Sequence, residues 1–234
     1  DRRDRALAAI ESFVVRRMLR GLTTKAYNRI TVDILKAGVG EDAALDDVVI
    51  GELVASSADS ARWPTDDGLA EHLGSQSLYN WIGQAKIRLV LGEIELRRRQ
   101  HAKVEDIYEL PKLSIEHLMP VEWKSHWPLA EASPEDIEQR ERALHVLGNL
   151  TLVTGQLNSS MSNQSWPEKR KRLGEKSLLL LNREFADVEI WDEDAIRARG
   201  VALSAELCAR WPGPAAFKAD YVPPPLGPPP GERH

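Results

Sequence analysis

Four positions in the second half of the chain carry side chains that together can activate water beside a metal ion. Glu116 and His117 are adjacent, near the end of a run that alternates like a strand. Asn149 follows Gly148 just ahead of a second β-prone run, and Asn158 lies nine residues beyond Asn149. An imidazole takes a proton from water near neutral pH, and carboxylate and amide oxygens are hard ligands suited to Mg²⁺. The set therefore supplies one base and two metal ligands. Cys208 is the single cysteine, which excludes an internal disulfide and a four-cysteine zinc cradle. Any metal must rest on His, Asp, Glu and Asn.

These side chains need elements to hold them. Residues 113–118 alternate with period two and stop at Pro120, which predicts a half-buried strand with Glu116 and His117 on opposite faces. Residues 150–153 predict a second short strand. Between them, Ser133 is placed to cap a helix running to about Leu147, with Pro134 in its first turn and Asp136 following. After the second strand, Ser165-Trp166-Pro167-Glu168 has the spacing of a capping box and opens a helix to about Leu181. The order is strand, insertion, strand, loop, helix.

The flanks are helical. Over residues 5–36, Ala6, Ile10, Phe13, Val14, Met18, Leu22, Ile30 and Ile34 recur at three-and-four spacing, which predicts two amphipathic helices divided at Gly21 and Thr23. Residues 37–68 read as an acidic connection with one helix. Residues 77–99 fit one long helix whose basic end, Arg97-Arg98-Arg99, suits the macrodipole. Further helices are expected around 169–186 and 192–210, before a tail with six prolines between Pro223 and Pro230 that reads as polyproline or disordered. The expected fold is mainly α with a small α+β element, divided into a helical domain (1–108), a second domain carrying the candidate site (109–212) and the proline-rich tail (213–234).

With 234 residues and 42% hydrophobic content, the chain can build one large domain, or a helical module with a smaller partner. No window approaches the ~18 apolar residues of a membrane span. The net charge of −5 argues against a surface that grips nucleic acid everywhere, yet the charge is uneven. Residues 36–75 hold nine acids against two bases, whereas residues 159–183 set Lys169, Arg170, Lys171, Arg172, Lys176 and Arg183 against Glu168 and Glu175. One local surface therefore favours a polyanion. The chain opens at Asp1 without an initiator Met or a signal-peptide pattern, which reads as a piece of a longer cytoplasmic protein.

The run Ile115-Glu116-His117-Leu118-Met119-Pro120, then Leu147-Gly148-Asn149-Leu150-Thr151-Leu152, then Asn158, Asn163 and Lys169 resembles the HNH nucleases of the ββα-metal (His-Me finger) class. More narrowly, it is similar to the C-terminal nuclease domain of GmrSD-type modification-dependent restriction endonucleases, a group that includes phosphorothioate-sensing phage-defence proteins. Glu11-Ser12-Phe13 with Arg16-Arg17, the segment from Tyr79 to Leu91, and Trp191, Ile196, Arg197, Arg199 and Trp211-Pro212 resemble that family's helical frame. The resemblance covers about residues 5–212.

The resemblance implies a helical bundle framing a ββα-metal nuclease core and a metal-dependent DNA endonuclease that nicks one strand. His117 would be the general base. Glu116 and Asn158 would hold one divalent cation, Mg²⁺ or Mn²⁺, and Asn149 would brace the hairpin so that His117 keeps its orientation. Asn163 is implied as a supporting or alternative ligand, and Lys169 and Arg170 as DNA-phosphate contacts. Asn158 stands where many HNH enzymes have His, which favours oxygen-loving metals over Zn²⁺ or Ni²⁺. The implied partners are DNA, an N-terminal sensor or NTPase-like domain of the same protein, and a second copy where both strands are to be cut; no membrane is implied.

Plainer readings stand beside these. His145, among Leu144, Val146 and Leu147, reads as a core or half-buried histidine, and His126 as exposed. Trp81, Trp191 and Trp211 read as core anchors. The Lys169–Arg172 run is by itself a solvated helix face, and Arg97–Arg99 is either a helix C-terminal cluster or part of a DNA surface. The runner-up function is a non-catalytic helical module with a relic ββα fold that binds DNA or protein. A hydrolase acting on RNA or nucleotides also stays open, since a ββα site reads phosphate rather than sugar and no reader of the 2′-hydroxyl is identifiable.

Overall fold

The computed structural model describes residues 1–38, 44–55, 61–103 and 112–222. The elements in chain order are α1 (Arg2–Leu19), α2 (Tyr27–Ala37), α3 (Leu45–Ala55), α4 (Asp66–Ser75), α5 (Leu78–Trp81), α6 (Gln84–His101), β1 (Leu113–His117), α7 (Trp123–His126), α8 (Pro134–Ala143), β2 (Leu150–Thr154), α9 (Gly155–Met161), α10 (Trp166–Lys176), α11 (Leu180–Arg183), α12 (Glu193–Arg210) and α13 (Pro214–Phe217). A 3₁₀ turn, Leu147–Asn149, leads into β2. The fold is mainly helical with one two-stranded antiparallel sheet, as the periodicity implies. No described helix is long and apolar enough to cross a membrane.

The chain forms two compact units, residues 1–69 with 208–234 and residues 70–207. The boundary expected at 108/109 lies outside the described residues. What the structure adds is that α6, assigned by sequence to the helical domain, packs on both strands and on α11 within the second unit. Its Glu95 carboxylate accepts from the N–H groups of Leu180 and Leu181 at 3.1 and 2.7 Å and from Arg99 at 2.6 Å, which binds α6 to α11.

In the first unit α1 packs on α3 around Phe13, Ile30, Val49, Ile50, Leu53 and Trp63. The buried face of α1 is Ala6, Ala9, Ser12, Phe13, Arg16, Arg17 and Leu19, while Ile10 and Val14 are exposed, so the face is rotated from the expected one. Backbone carbonyls explain the rotation. Arg16 donates to Pro64 O at 2.8 Å and Trp211 O at 2.6 Å, Arg17 to Arg62 O at 2.7 Å and Thr23 O at 2.6 Å, and Ser12 to Pro212 O at 2.6 Å. Buried guanidinium groups with charge-assisted bonds substitute for apolar packing at those positions. Within the segment expected as tail, α13 forms and packs on this unit, with Phe217 5.3 Å from the Trp63 ring. The proline run from Pro223 onward lies outside the described residues.

The second unit is built on the hairpin. β1 and β2 pair in the register Leu113↔Thr154, Glu116↔Thr151 and His117↔Leu150, and the N–H of Leu118 donates to Asn149 O at 3.0 Å just beyond the ladder. Under it lies a core of Leu118, Met119, Trp123, Leu144, Val153, Leu157, Met161, Trp166, Leu173, Phe185, Trp191 and Ile196. Trp166 stacks on Trp191 at 5.1 Å, and Phe185 meets both rings edge-on at 5.8 and 5.3 Å, the favoured aromatic geometries. Both expected caps form. Ser133 O–H and N–H engage Asp136 at the start of α8, and Glu168 accepts from Ser165 O–H at 2.8 Å and N–H at 3.2 Å at the start of α10.

Three helix extents differ from expectation. The 77–99 helix breaks into α5 and α6 at Gly83, whose φ of 81° lies in the left-handed region open to glycine. The helix expected to run to Leu147 ends at Ala143, and the one expected to run to Leu181 ends at Lys176. Trp81, expected in the core, is 60% exposed on α5, while Trp191 and Trp211 are buried.

Candidate functional site

β1 delivers Glu116 and His117 to opposite sides of the hairpin, as strand alternation requires. Glu116 is buried and meets the Nζ of Lys169, from α10, at 2.5 Å; the same ammonium donates to His117 O at 2.8 Å. Burial raises the Glu116 pKa and lowers that of Lys169, and each charge partly offsets the effect on the other. Lys169, expected to contact DNA phosphate, is fully buried and is instead a cation that holds the strand end.

His117 lies with its Nε2 3.1 Å from Nδ1 of His145, and the two rings are perpendicular with centroids 5.1 Å apart. Tyr79 of α5 closes the cluster. Its ring stands edge-on to His117 at 4.7 Å and lies nearly parallel to His145 at 5.7 Å. Its backbone N–H donates to His145 O at 3.2 Å, and its hydroxyl accepts from Gln84 Nε2 at 2.7 Å. Burial, then the neighbouring His145 and the Lys169 charge, push the His117 pKa down to about 4, and burial also lowers His145. Both rings are therefore neutral at pH 7.

Asn149 is fully buried at the end of the 3₁₀ turn. Its Oδ1 accepts from Met119 N–H at 2.7 Å and Trp191 Nε1–H at 3.1 Å, and its Nδ2 donates to Met119 O at 3.0 Å and Leu144 O at 2.9 Å. It ties the chain leaving His117 to the chain entering His145. Gly148 permits α12 to close on this turn: a Cβ there would lie 2.0 Å from Ile196 O. Arg199 of α12 then donates to Gly148 O and Leu150 O, both at 2.7 Å.

Asn158, expected in a loop, is on α9, which the Thr154 side chain caps through Leu157 N–H at 3.3 Å and which packs on both strands. Its Oδ1 is buried and has no hydrogen-bond partner among the described residues. Such an atom costs about 1–3 kcal/mol unless something occupies it, and an amide oxygen suits a hard cation. The residues present fit one oxygen-loving divalent ion on that ground. Among the described residues no group of three or more His, Cys, Asp or Glu could hold a metal. Asn163 is half-buried in the turn between α9 and α10.

The basic residues divide. Arg170 is half-buried and donates to Val188 O at 3.1 Å, Arg172 donates to Gln164 at 2.6 Å, and Lys171 and Lys176 are exposed. Arg98 pairs with Glu184 and Glu206 at 3.2 and 2.7 Å, and Arg99 with Glu95, so both tie helices together. The sequence reading missed His145 and Tyr79. The signal for His145 was its place three residues ahead of the Gly148-Asn149 turn; Tyr79 had no such signal.

A two-stranded hairpin presenting a buried acid and a neutral imidazole, braced by an asparagine and framed by helices, is the core of this unit. A family description, the C-terminal domain of GmrSD restriction endonucleases, matches residues 63–206, well over half of the chain, and the chain belongs to that family. Membership implies a restriction-endonuclease-related nuclease role and DNA as substrate. No curated protein and no solved structure matches the chain.

Proposed function

We propose that this chain is the phosphodiester-cleaving part of a DNA-restricting protein, a one-metal nicking endonuclease of the HNH type. The observation that carries this reading is His117: a neutral imidazole at the end of β1, fixed by the Asn149 brace, with the unpartnered Asn158 oxygen on the helix packed against the same strand. His117 accepts the proton of the attacking water. Asn149 holds the backbone just after the imidazole, at Leu118 and Met119, so that the base needs little reorganisation when substrate arrives. Glu116 and Asn158 are the groups that would hold Mg²⁺ or Mn²⁺, with Asn163 in reserve, and Lys169 fixes Glu116. When bound, such a cation supplies Lewis acidity for the charge developing on phosphate and leaving oxygen. Arg170, with the exposed Lys171 and Lys176, faces backbone phosphates.

A second reading, a non-catalytic binding module, is favoured by one contact: Lys169 already neutralises the carboxylate expected to meet the metal. Conversion of supercoiled plasmid separates the two. The nuclease reading expects open circles ahead of linear product in Mg²⁺ or Mn²⁺, abolished by EDTA and by His117→Ala. Well-folded protein that leaves the plasmid supercoiled in both metals at low salt would support the binding module.

A further inference from the structure

The contact between His117 and His145 joins the candidate base to a ring that the nuclease reading gives no task. The 3.1 Å between Nε2 of His117 and Nδ1 of His145 is a hydrogen-bond distance, so in the neutral pair that a general base requires one nitrogen donates and the other accepts. Two polarities are possible. If His145 donates from Nδ1, both rings carry their proton on Nδ1, and His117 has no lone pair left for water. If His117 donates from Nε2, both rings are in the Nε2–H tautomer, which neutral histidine intrinsically prefers, and Nδ1 of His117 is left as a base. Only the second arrangement leaves His117 competent as a base, and it is the one the intrinsic preference favours.

We propose that His145 is a positioning residue for the cleavage reaction: its Nδ1 accepts from Nε2–H of His117 and so holds His117 in the tautomer that presents Nδ1 to water. Tyr79 is the wall that keeps the acceptor in place, through its ring stacked on His145 and its N–H bonded to His145 O. In the reaction, one water proton passes to Nδ1 of His117. The oxygen's electron pair forms the new bond to phosphorus, and the bond from phosphorus to the leaving oxygen breaks. The resulting imidazolium keeps its Nε2–H on His145, now as a charge-assisted hydrogen bond, which is stronger than the neutral one. The gain arises as the proton moves, so it lowers the barrier rather than tightening substrate binding.

The catalytic half of this inference rests on the nuclease reading; the tautomer does not. The test is therefore made in two parts on the whole chain. Long-range ¹H–¹⁵N spectra of ¹⁵N-histidine protein at pH 7.5 read the tautomer of His117 directly. The expected result is Nε2–H in the unaltered protein and in His145→Asn, whose amide oxygen stands near the Nδ1 position, and a mixture with Nδ1–H in His145→Phe, which keeps the stacked ring and removes the acceptor. In plasmid nicking, His145→Phe should lose roughly tenfold to a thousandfold in kcat with KM little changed, and His145→Asn should recover much of it. An Nδ1–H tautomer in the unaltered protein overturns the proposal without any variant. So does a His145→Phe protein with unchanged tautomer and kcat. Expected tautomers in a chain that never cuts nucleic acid would uphold the hydrogen-bond assignment and overturn the nuclease reading.

Discussion

At His117 burial and neighbouring charge act in one direction. Both disfavour the imidazolium, so the ring waits unprotonated across the physiological range and needs no prior proton loss to act as a base. The same shift makes a stability statement. The folded pKa of about 4 lies below the unfolded value of ~6.5, so the unfolded chain binds the extra proton between those limits. The contribution of His117 is complete above about pH 6.5 and is lost as pH falls toward 4, on the order of 3 kcal/mol over that window. Urea midpoints of metal-free protein at several pH values should fall with acidification, and His117→Phe should flatten that slope; an equal slope in the variant would contradict the assignment. Asn149→Ala strands two donors and two acceptors in the core. It should cost about 3–5 kcal/mol in chemical denaturation, and a loss under about 1 kcal/mol would mean that the brace is dispensable.

His145 shows why residue-level reading stopped short. Its neighbours Leu144, Val146 and Leu147 look like one side of a core helix, and a helix continued to Leu147 would hold it there. The helix ends at Ala143 because Leu144 O and the following turn bond to Asn149 instead, and the freed ring turns to His117. Lys169 misled in the opposite way. Its place in a run of four cations describes a solvated face, whereas the spacing of α10 puts Lys169, one turn after the inward Trp166, against Glu116. Glu116, His117 and Asn149 were legible because strand alternation and the Gly-Asn turn are local patterns. The partners that complete them come from α5, α10 and the segment just after α8, and local patterns do not record such distant meetings.

Elements position the site through close approaches that leave little slack. The hairpin can receive α12 only where Gly148 has no side chain, since a Cβ there would be 2.0 Å from Ile196 O and 2.9 Å from Gly200 N. Gly148→Ala should therefore destabilise by at least about 3 kcal/mol and reduce nicking in proportion to the unfolded fraction. A variant as stable as the parent would show that α12 can retreat freely. Gly83 acts more gently, as the break that turns α5, with Tyr79, toward the hairpin. Both caps and both strands were readable from short-range chemistry; the break at Gly83 was not, because the apolar spacing continues across it.

For the molecule as a whole, the family match and the hairpin site converge on one nuclease-related unit within a chain of net charge −5. A negative chain that meets DNA through few cations should bind weakly and with a shallow salt slope. Raising salt from about 50 to about 200 mM should lower the cleavage rate at subsaturating DNA by roughly tenfold to a hundredfold, as expected for two or three phosphate contacts. A far steeper loss would point to a broad basic surface instead. The expected helical frame and small sheet are present, while Ser12, Arg16 and Arg17 show that buried polar groups can set a helix's orientation against its apolar pattern. The most direct test of the central claim is chemical rescue. His117→Gly should be silent in Mn²⁺ and regain saturable nicking when imidazole is added, because the small base occupies the space of the missing ring. A folded His117→Gly protein that nicks at the parental rate, or that stays silent at every imidazole concentration, would contradict His117 as the base.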